Sequence, residues 1–538
     1  MKDSLRLSMS WLHTWSGLVC GWLLCAIFLA GSLSVFRDPI THWMKAEPVL
    51  ATNADAPQGV HPDVLASTMQ HLATQAAGAP FWRVVLPQRA DQALQIFWRA
   101  KDGPRTGSHL AVHPQTGALL PLPWGRQTEG GRHFMSFHYS LDAGIFGFWL
   151  VGFVAMGMLV ALVSGVIVHK RIFKDFFTFR PGKGQRSWLD AHNVTAVLTL
   201  PFLFMIVYTG LAFFYTSYMP MPLRAAYGAD AKAYTQYQQE LVPAPVLKRK
   251  ASGVPIAIPD LSPLLQQAQQ MTGLPARMLL IERPGDASMA IKVYDHGPDT
   301  AHSGRILNAP GIVTFDGKTG AVLQWQKSEG DHDSVSSKTH RVIEVLHVAT
   351  FGGWSIKWLY FLSGLMGTLM IASGTVLFMV KRRKKNEMEF GAATAHMYRI
   401  VEGMNVAAVA GICVACISYL YANRLIDADF ALRSAWEVRT FFIIWLLTLV
   451  HAMLRTPAKA WVEQLALAAC LCLALPLLNL MTTGEYFLSY FLRSDWQSFA
   501  LEMVVLSLGL ALAFTAHKLG RKNLASASSK QTAKVITS

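Results

Sequence analysis

Residues 12–31 read LHTWSGLVCGWLLCAIFLAG, and residues 191–210 read AHNVTAVLTLPFLFMIVYTG. Each is a mostly apolar run of about 20 residues, the length at which a helix crosses a hydrocarbon core of about 30 Å. Each also opens on a histidine: His13 stands eighteen residues before Gly31, and His192 eighteen before Gly210. Two further apolar stretches repeat one another with a different spacing. His138 and His347 each precede a Ser-Gly pair by twenty-six residues, Ser164-Gly165 and Ser373-Gly374, and Arg132 and Arg341 each lie six residues before the histidine. The chain is a frame duplicated across about 200 residues that keeps imidazole near both ends of its apolar helices.

Composition agrees with a polytopic α-helical membrane protein. The 538 residues are 52% hydrophobic and 15% charged, outside the range of soluble domains. Eight transmembrane helices are predicted, near 12–36, 144–168, 193–217, 352–380, 401–422, 440–455, 461–482 and 497–516, the sixth being the shortest. Basic residues cluster after the second span (Lys170, Arg171, Lys174, Arg180, Lys183, Arg186) and the fourth (Lys381–Lys385), with Arg455, Lys459, Lys518, Arg521 and Lys522 between or after later spans. If every span crosses, all lie on one side, which the positive-inside rule makes cytoplasmic together with both termini. The net charge of +15 is then topological, and no nucleic-acid partner is implied. The first span is too long for a signal-peptide h-region and has an internal counterpart, so it is expected to be retained. All six cysteines fall in apolar spans, Cys413 and Cys416 with redox-motif spacing. Inside a lipid-spanning helix that pair reads as small apolar filling.

The predicted organisation is a transmembrane helix (1–36), a periplasmic domain (37–143), a helix (144–168) and a cytoplasmic basic loop (169–192). The plan then repeats as a helix (193–217), a second periplasmic domain (218–351), a helix (352–380) and a basic linker (381–400). A four-helix membrane block (401–516) and a cytoplasmic tail (517–538) complete it. Each large loop reads as a small α+β domain: a helix near 61–77 or 260–272, then strand, turn, strand over 94–120, a plan repeated over 289–323. A shared Thr-Gly-Ala at 116–118 and 319–321 falls where a strand turn needs glycine.

Paired neutral imidazoles from neighbouring helices are what a membrane electron-transfer haem needs as axial ligands. By topology His13, His169 and His192 lie near the cytoplasmic face, and His138 and His347 near the outer face. His138 and His169 are thirty-one residues apart, roughly 46 Å along a helix, so two haem b sites are expected rather than one. His13 with His192 is the preferred inner pair, His169 with either remaining open, and His138 with His347 is the outer pair. Arg132 and Arg341 are candidate propionate contacts because guanidinium matches carboxylate geometry. His133 and His340 are alternatives to the outer pair, and Asp331-His332-Asp333 is read as a solvated loop rather than a metal site. His396, His451 and His517 are read as ordinary interfacial residues. No flavin, nicotinamide or phosphate-loop motif is present, so an electron donor must be a quinol or a separate cytoplasmic reductase.

The Leu12-His13-Thr14-Trp15-Ser16-Gly17 segment, the Thr-Gly-Ala turns and the Ser-Gly ends leading into basic clusters resemble the PepSY-associated transmembrane family over about residues 8–385. That family includes inner-membrane ferric-siderophore reductases and iron-regulated membrane proteins. The resemblance implies PepSY-like periplasmic domains, a multi-pass protein of the bacterial cytoplasmic membrane, and a ferric siderophore as the substrate reduced outside. It does not reach the last four helices. Two other readings stay open on the residues: a siderophore or metal permease without redox activity, and a binding or regulatory module.

Overall fold

The computed structural model describes residues 2–50, 59–99, 107–169, 180, 185–241, 249–295, 311–326, 335–390 and 392–536. Among these, eight helices are long and apolar enough to span a membrane. They are Ser4–Ser34, Gly144–Val168, Gln185–Phe213, Gly353–Lys381, Thr394–Leu425, Arg433–Leu454, Pro457–Thr483 and Trp496–Leu524, spans 1 to 8. Helix is the form such segments must take in lipid, since it pairs every backbone N–H and C=O internally. The eight apolar segments of the sequence are all present. Span 6 begins at Arg433 rather than near 440. Its first turn holds an ion pair, Arg433 to Glu437 at 2.9 Å, with side chains only 2% and 0% exposed. Charge is paired inside the helix end instead of being kept out of it.

The chain divides into a membrane unit (Met1–Ala46, Arg126–Ala212, Lys357–Ser538) and a loop unit (Glu47–Gly125, Phe213–Ile356). In the membrane unit, one core joins spans 1 to 4 through Cys20, Leu24, Ile27, Val154, Met158, Leu203 and Ile371. A second core joins span 1 to spans 5 to 8 through Ala26, Ala30, Ile412, Tyr419, Phe441 and Leu475. Span 1 therefore belongs to both. Span 5 fits against it through a π-helical turn at Ala407–Gly411, just after Asn405, which accepts a 2.8 Å hydrogen bond from Trp22 Nε1. The last four helices are thus built onto the duplicated frame.

In the loop unit, seven antiparallel strands form one sheet in the order β3-β2-β1-β4-β5-β6-β7. The strands are β1 (Phe81–Val85), β2 (Leu94–Trp98), β3 (Ser108–Val112), β4 (Ala276–Glu282), β5 (Ala290–Asp295), β6 (Ile312–Asp316) and β7 (Val322–Gln326). Sequence spacing predicts one α+β domain per loop. Each loop does supply a helix and its strands, but the two share a sheet, joined where β1 pairs with β4 from Phe81↔Glu282 to Val85↔Met278. These are the equivalent strands of the two repeats. Their pairing removes from each half an edge that would expose unpaired N–H and C=O groups. It also makes one core, in which Trp82, Val84, Leu279 and Ile281 point to the same face and are essentially fully buried. The helices Pro62–Gln75 and Ser262–Thr272 cover that face with Leu65, Met69, Leu72, Leu264 and Ala268. Proline near each helix start and the left-handed Gly273 after the second set their bounds. Gly117 and Gly320, the glycines of the two Thr-Gly-Ala turns, both take positive φ, +72° and +71°.

Candidate functional site

Three of the sequence-predicted histidines converge at one end of the membrane unit. His13 of span 1 places Nδ1 2.8 Å from the Ala161 carbonyl of span 2. His192 of span 3 places Nδ1 2.8 Å from the Met370 carbonyl of span 4. A carbonyl only accepts, so Nδ1 carries the proton and the lone pair is left on Nε2. That is how a neighbouring carbonyl fixes the tautomer of a metal-ligating histidine. The His13 ring lies 6.3 Å from that of His192, at 67°, and 6.5 Å from that of His169, at 81°. Two imidazoles facing across one iron, each with a bond of about 2 Å, would have centroids about 6 Å apart. These separations would suit His13 with His192, or His13 with His169, holding one iron between them.

Each ring is also seated on a glycine. A Cβ at Gly165 would stand 3.0 Å from His13 Cε1, and one at Gly374 would stand 3.1 Å from His192 Cε1. The glycine lies four residues after the accepting carbonyl in both cases, 161 and 165, 370 and 374. In a helix a Cβ leans toward the N-terminus, so the side chain at that position would cover the carbonyl the imidazole uses. The Ser-Gly pairs that mark the repeat in sequence are therefore the seats of the histidines on the preceding spans. In the sequence these glycines are only marks of the repeat. Their helical offset from an acceptor carbonyl is visible only once the spans are paired.

The same device recurs at the other end. His138 lies on the short helix Arg132–Ser140, ahead of span 2. Its Nδ1 is 2.8 Å from the carbonyl of Ile27, and a Cβ at Gly31, again four residues on, would be 2.8 Å from its ring. Burial pushes the His138 pKa down, with the Ile27 bond acting in the opposite direction. His13 and Gly31 are eighteen residues apart on one continuous helix, about 27 Å. The His13 and His138 positions are thus two sites.

His347 sits in the loop unit on the helix Val335–Val348, its ring 6.3 Å from Phe213. His340 lies on the same helix, 6.3 Å from Phe213 and 5.9 Å from Tyr215. Arg341 is half-buried and Arg132 exposed. His133 is a core residue: it packs 4.7 Å from both Tyr419 and Phe441. Its Nδ1 lies 2.9 Å from the Asp142 carboxylate, off the line of a hydrogen bond. His451 is accounted for by Glu463, 2.9 Å away. Residues 331–333 lie outside the described residues. Among the described residues no group of three or more His, Cys, Asp or Glu converges closely enough to hold a bare metal ion. The six cysteines are free thiols.

The profile of a family described as PepSY-associated TM region matches residues 10–381, ending where span 4 ends. An uncharacterized protein of Pseudomonas aeruginosa is 24% identical over 336 residues, covering 58% of this chain and 76% of the relative. Spans 5 to 8 lie beyond the matched profile.

Proposed function

Because this chain belongs to the PepSY-associated TM family, we propose that it is an inner-membrane b-type haem oxidoreductase that delivers electrons across the bilayer to a periplasmic ferric siderophore. The observation that carries this reading is the triple recurrence of histidine Nδ1 on a helix carbonyl beside a glycine, at His13, His138 and His192. An interfacial histidine that merely meets water has no need of a fixed tautomer or a cleared helix surface. His13 and His192, with His169 as the alternative, would hold the inner haem. His138 would hold the outer one. Bound haem would supply reversible one-electron chemistry between Fe(III) and Fe(II) at both positions. The protein's own part is to hold Nε2 toward the iron and to exclude water with the apolar walls of spans 1 to 4. Arg132, exposed on the His138 helix, would meet a propionate there.

The donor would be a quinol or a cytoplasmic reductase. The acceptor is the one the family resemblance implies, and charge explains what its reduction would do: ferrous iron binds hard hydroxamate or catecholate oxygens less tightly than ferric iron, so one electron loosens the chelate. The test uses proteoliposomes with dithionite inside and ferric tris-acetohydroxamate outside. Ferrous iron should appear outside at a rate that depends on the protein and falls with His138→Ala. Haem-loaded protein that passes no electrons to the outer chelate would refute the reductase assignment.

A further inference from the structure

Spans 5 to 8 carry charge where charge is expensive. Glu437 and Glu502 are wholly buried, and Arg424 and Arg433 nearly so. Arg433 pairs with Glu437, and Asn423 Nδ2 donates to Glu437 at 2.8 Å. Asn423 also accepts a short bond from Arg424. Arg424 Nε donates to Asn479 at 2.7 Å, and Asn479 Nδ2 to Glu502 at 2.8 Å. This chain runs across spans 5, 6, 7 and 8. Apolar packing of the same volume is often as stable as a buried ion pair, and ionisable groups inside a membrane bundle default to a functional role. Fastening the four spans to each other therefore does not explain the network.

Besides itself the network holds two segments. At one end Arg424 donates to the Trp43 and Met44 carbonyls at 2.7 and 3.3 Å, and Glu502 accepts from Trp43 Nε1 at 3.2 Å. At the other end the Arg433–Glu437 pair holds the segment leading into the His138 helix. Arg433 Nη1 donates to the Gln127 carbonyl at 2.7 Å, and Arg126 Nη1 to the Ile426 carbonyl at 3.1 Å. The Thr128 hydroxyl donates to Glu437 and accepts from the Gly130 amide at 3.0 Å. The Tyr419 hydroxyl donates to the Gly130 carbonyl at 3.0 Å. No side chain fits at Gly131, where a Cβ would stand 2.3 Å from the Arg37 backbone. One residue into the helix, His133 is gripped by Tyr419 and Phe441, and Phe137 packs on Phe441, Phe442 and Trp445. His138 is five residues beyond His133, about 140° around the helix, and meets span 1 at Ile27.

We infer that Glu437, Arg433 and Tyr419 are positioning residues for the outer haem, fixing the rotation and depth of Arg132–Ser140 so that His138 Nε2 is presented at one place. This rests on the assignment of His138 as a haem ligand, and it gives the four helices beyond the family profile a role in that site. Supporting groups of metal-ligating histidines commonly change affinity or activity by 10–100-fold when removed.

The test uses full-length protein in nanodiscs. A lone Glu437→Leu change strands the Arg433 guanidinium and can unfold the block, so the variants are Tyr419→Phe, which deletes one hydroxyl, and the paired Arg433→Met/Glu437→Leu, which removes both charges. Four readouts are taken: hydrogen exchange of amides 132–140, the low-spin haem resonances, the midpoint potential of each haem, the outer being the one lost in His138→Ala, and, with the same variants in proteoliposomes, electron delivery to ferric tris-acetohydroxamate. The expected result is faster exchange across 132–140, a shifted resonance and potential for the outer haem alone, and electron delivery to ferric tris-acetohydroxamate reduced on the order of 10-fold. Unchanged exchange, or faster exchange with both haems spectroscopically unaltered, overturns the inference while leaving the haem assignment in place. Wild-type protein that binds no haem overturns both.

Discussion

Replacing Gly31 with alanine adds one methyl group to span 1, and the structure says where it goes. The new Cβ would stand 2.8 Å from Cε1 and Nδ1 of His138, closer than real Cβ atoms pack. The ring cannot swing away without giving up its 2.8 Å bond to the Ile27 carbonyl. Overpacking of this kind typically destabilises by about 1–3 kcal/mol, and the lost bond adds about 1 kcal/mol. Against this, alanine gains about 1 kcal/mol over glycine in a helix. The net expectation is about 1–3 kcal/mol of destabilisation, with an imidazole turned off its axis. Gly17→Ala is the control on the same helix, since nothing lies within 4 Å of its Cβ and only the propensity gain of about 1 kcal/mol applies. Thermal unfolding in detergent and haem content per chain would be measured together. Gly31→Ala should lower Tm and lose the outer haem while keeping the inner one, and Gly17→Ala should do neither. A Gly31→Ala protein with both haems and the Tm of Gly17→Ala would refute the seat.

Three other outcomes follow from particular contacts. His13 is within pairing distance of both His192 and His169, so His13→Ala should abolish the inner haem; of His192→Ala and His169→Ala, only the change that removes the true partner should convert its low-spin spectrum to high-spin. Asp495, 3.0 Å from His42, is held down at about 2 although desolvation alone would raise it, the hydrogen bond and charge of His42 prevailing. Its folded pKa lies below the unfolded value near 3.9, so the stabilisation, about 2 kcal/mol at most, is fully present above about pH 4 and lost as pH falls toward 2. The Tm gap between wild type and Asp495→Asn should therefore be full at pH 5 and closed near pH 2. Trp82, buried beside the β1–β4 seam, should cost about 3–5 kcal/mol when cut to alanine, read as protease sensitivity in residues 59–99 and 249–295 with helical content retained.

The eight spans were legible because lipid leaves a helix no alternative and an apolar run of sufficient length has no other reading. The turns at Gly117 and Gly320 were legible for a similar reason, since a left-handed residue after Thr in a strand connection calls for glycine. The union of the two loops in one sheet was not. β1 and β4 are separated by nearly 200 residues, and nothing in either strand's alternation names the other as partner. Spans 6 and 3 begin earlier than hydropathy suggests, at Arg433 and Gln185; the charges near these ends are paired, Glu437 with the buried Arg433 and the buried Asp190 with the half-exposed Arg180. The histidines were visible in the repeat, whereas the glycine and carbonyl that receive each of them belong to another helix. His138 also lies on a separate short helix outside the span, a detail that twenty-six residues of spacing could not show.

Haem per chain, measured as pyridine haemochrome on the purified protein and its single alanine variants, tests the central assignment most directly. The expected result is two haem b per wild-type chain, falling to one in His138→Ala and to one in His13→Ala, with different spectra remaining. Wild-type protein isolated from haem-replete cells with no bound haem, or variants indistinguishable from it, would contradict the assignment.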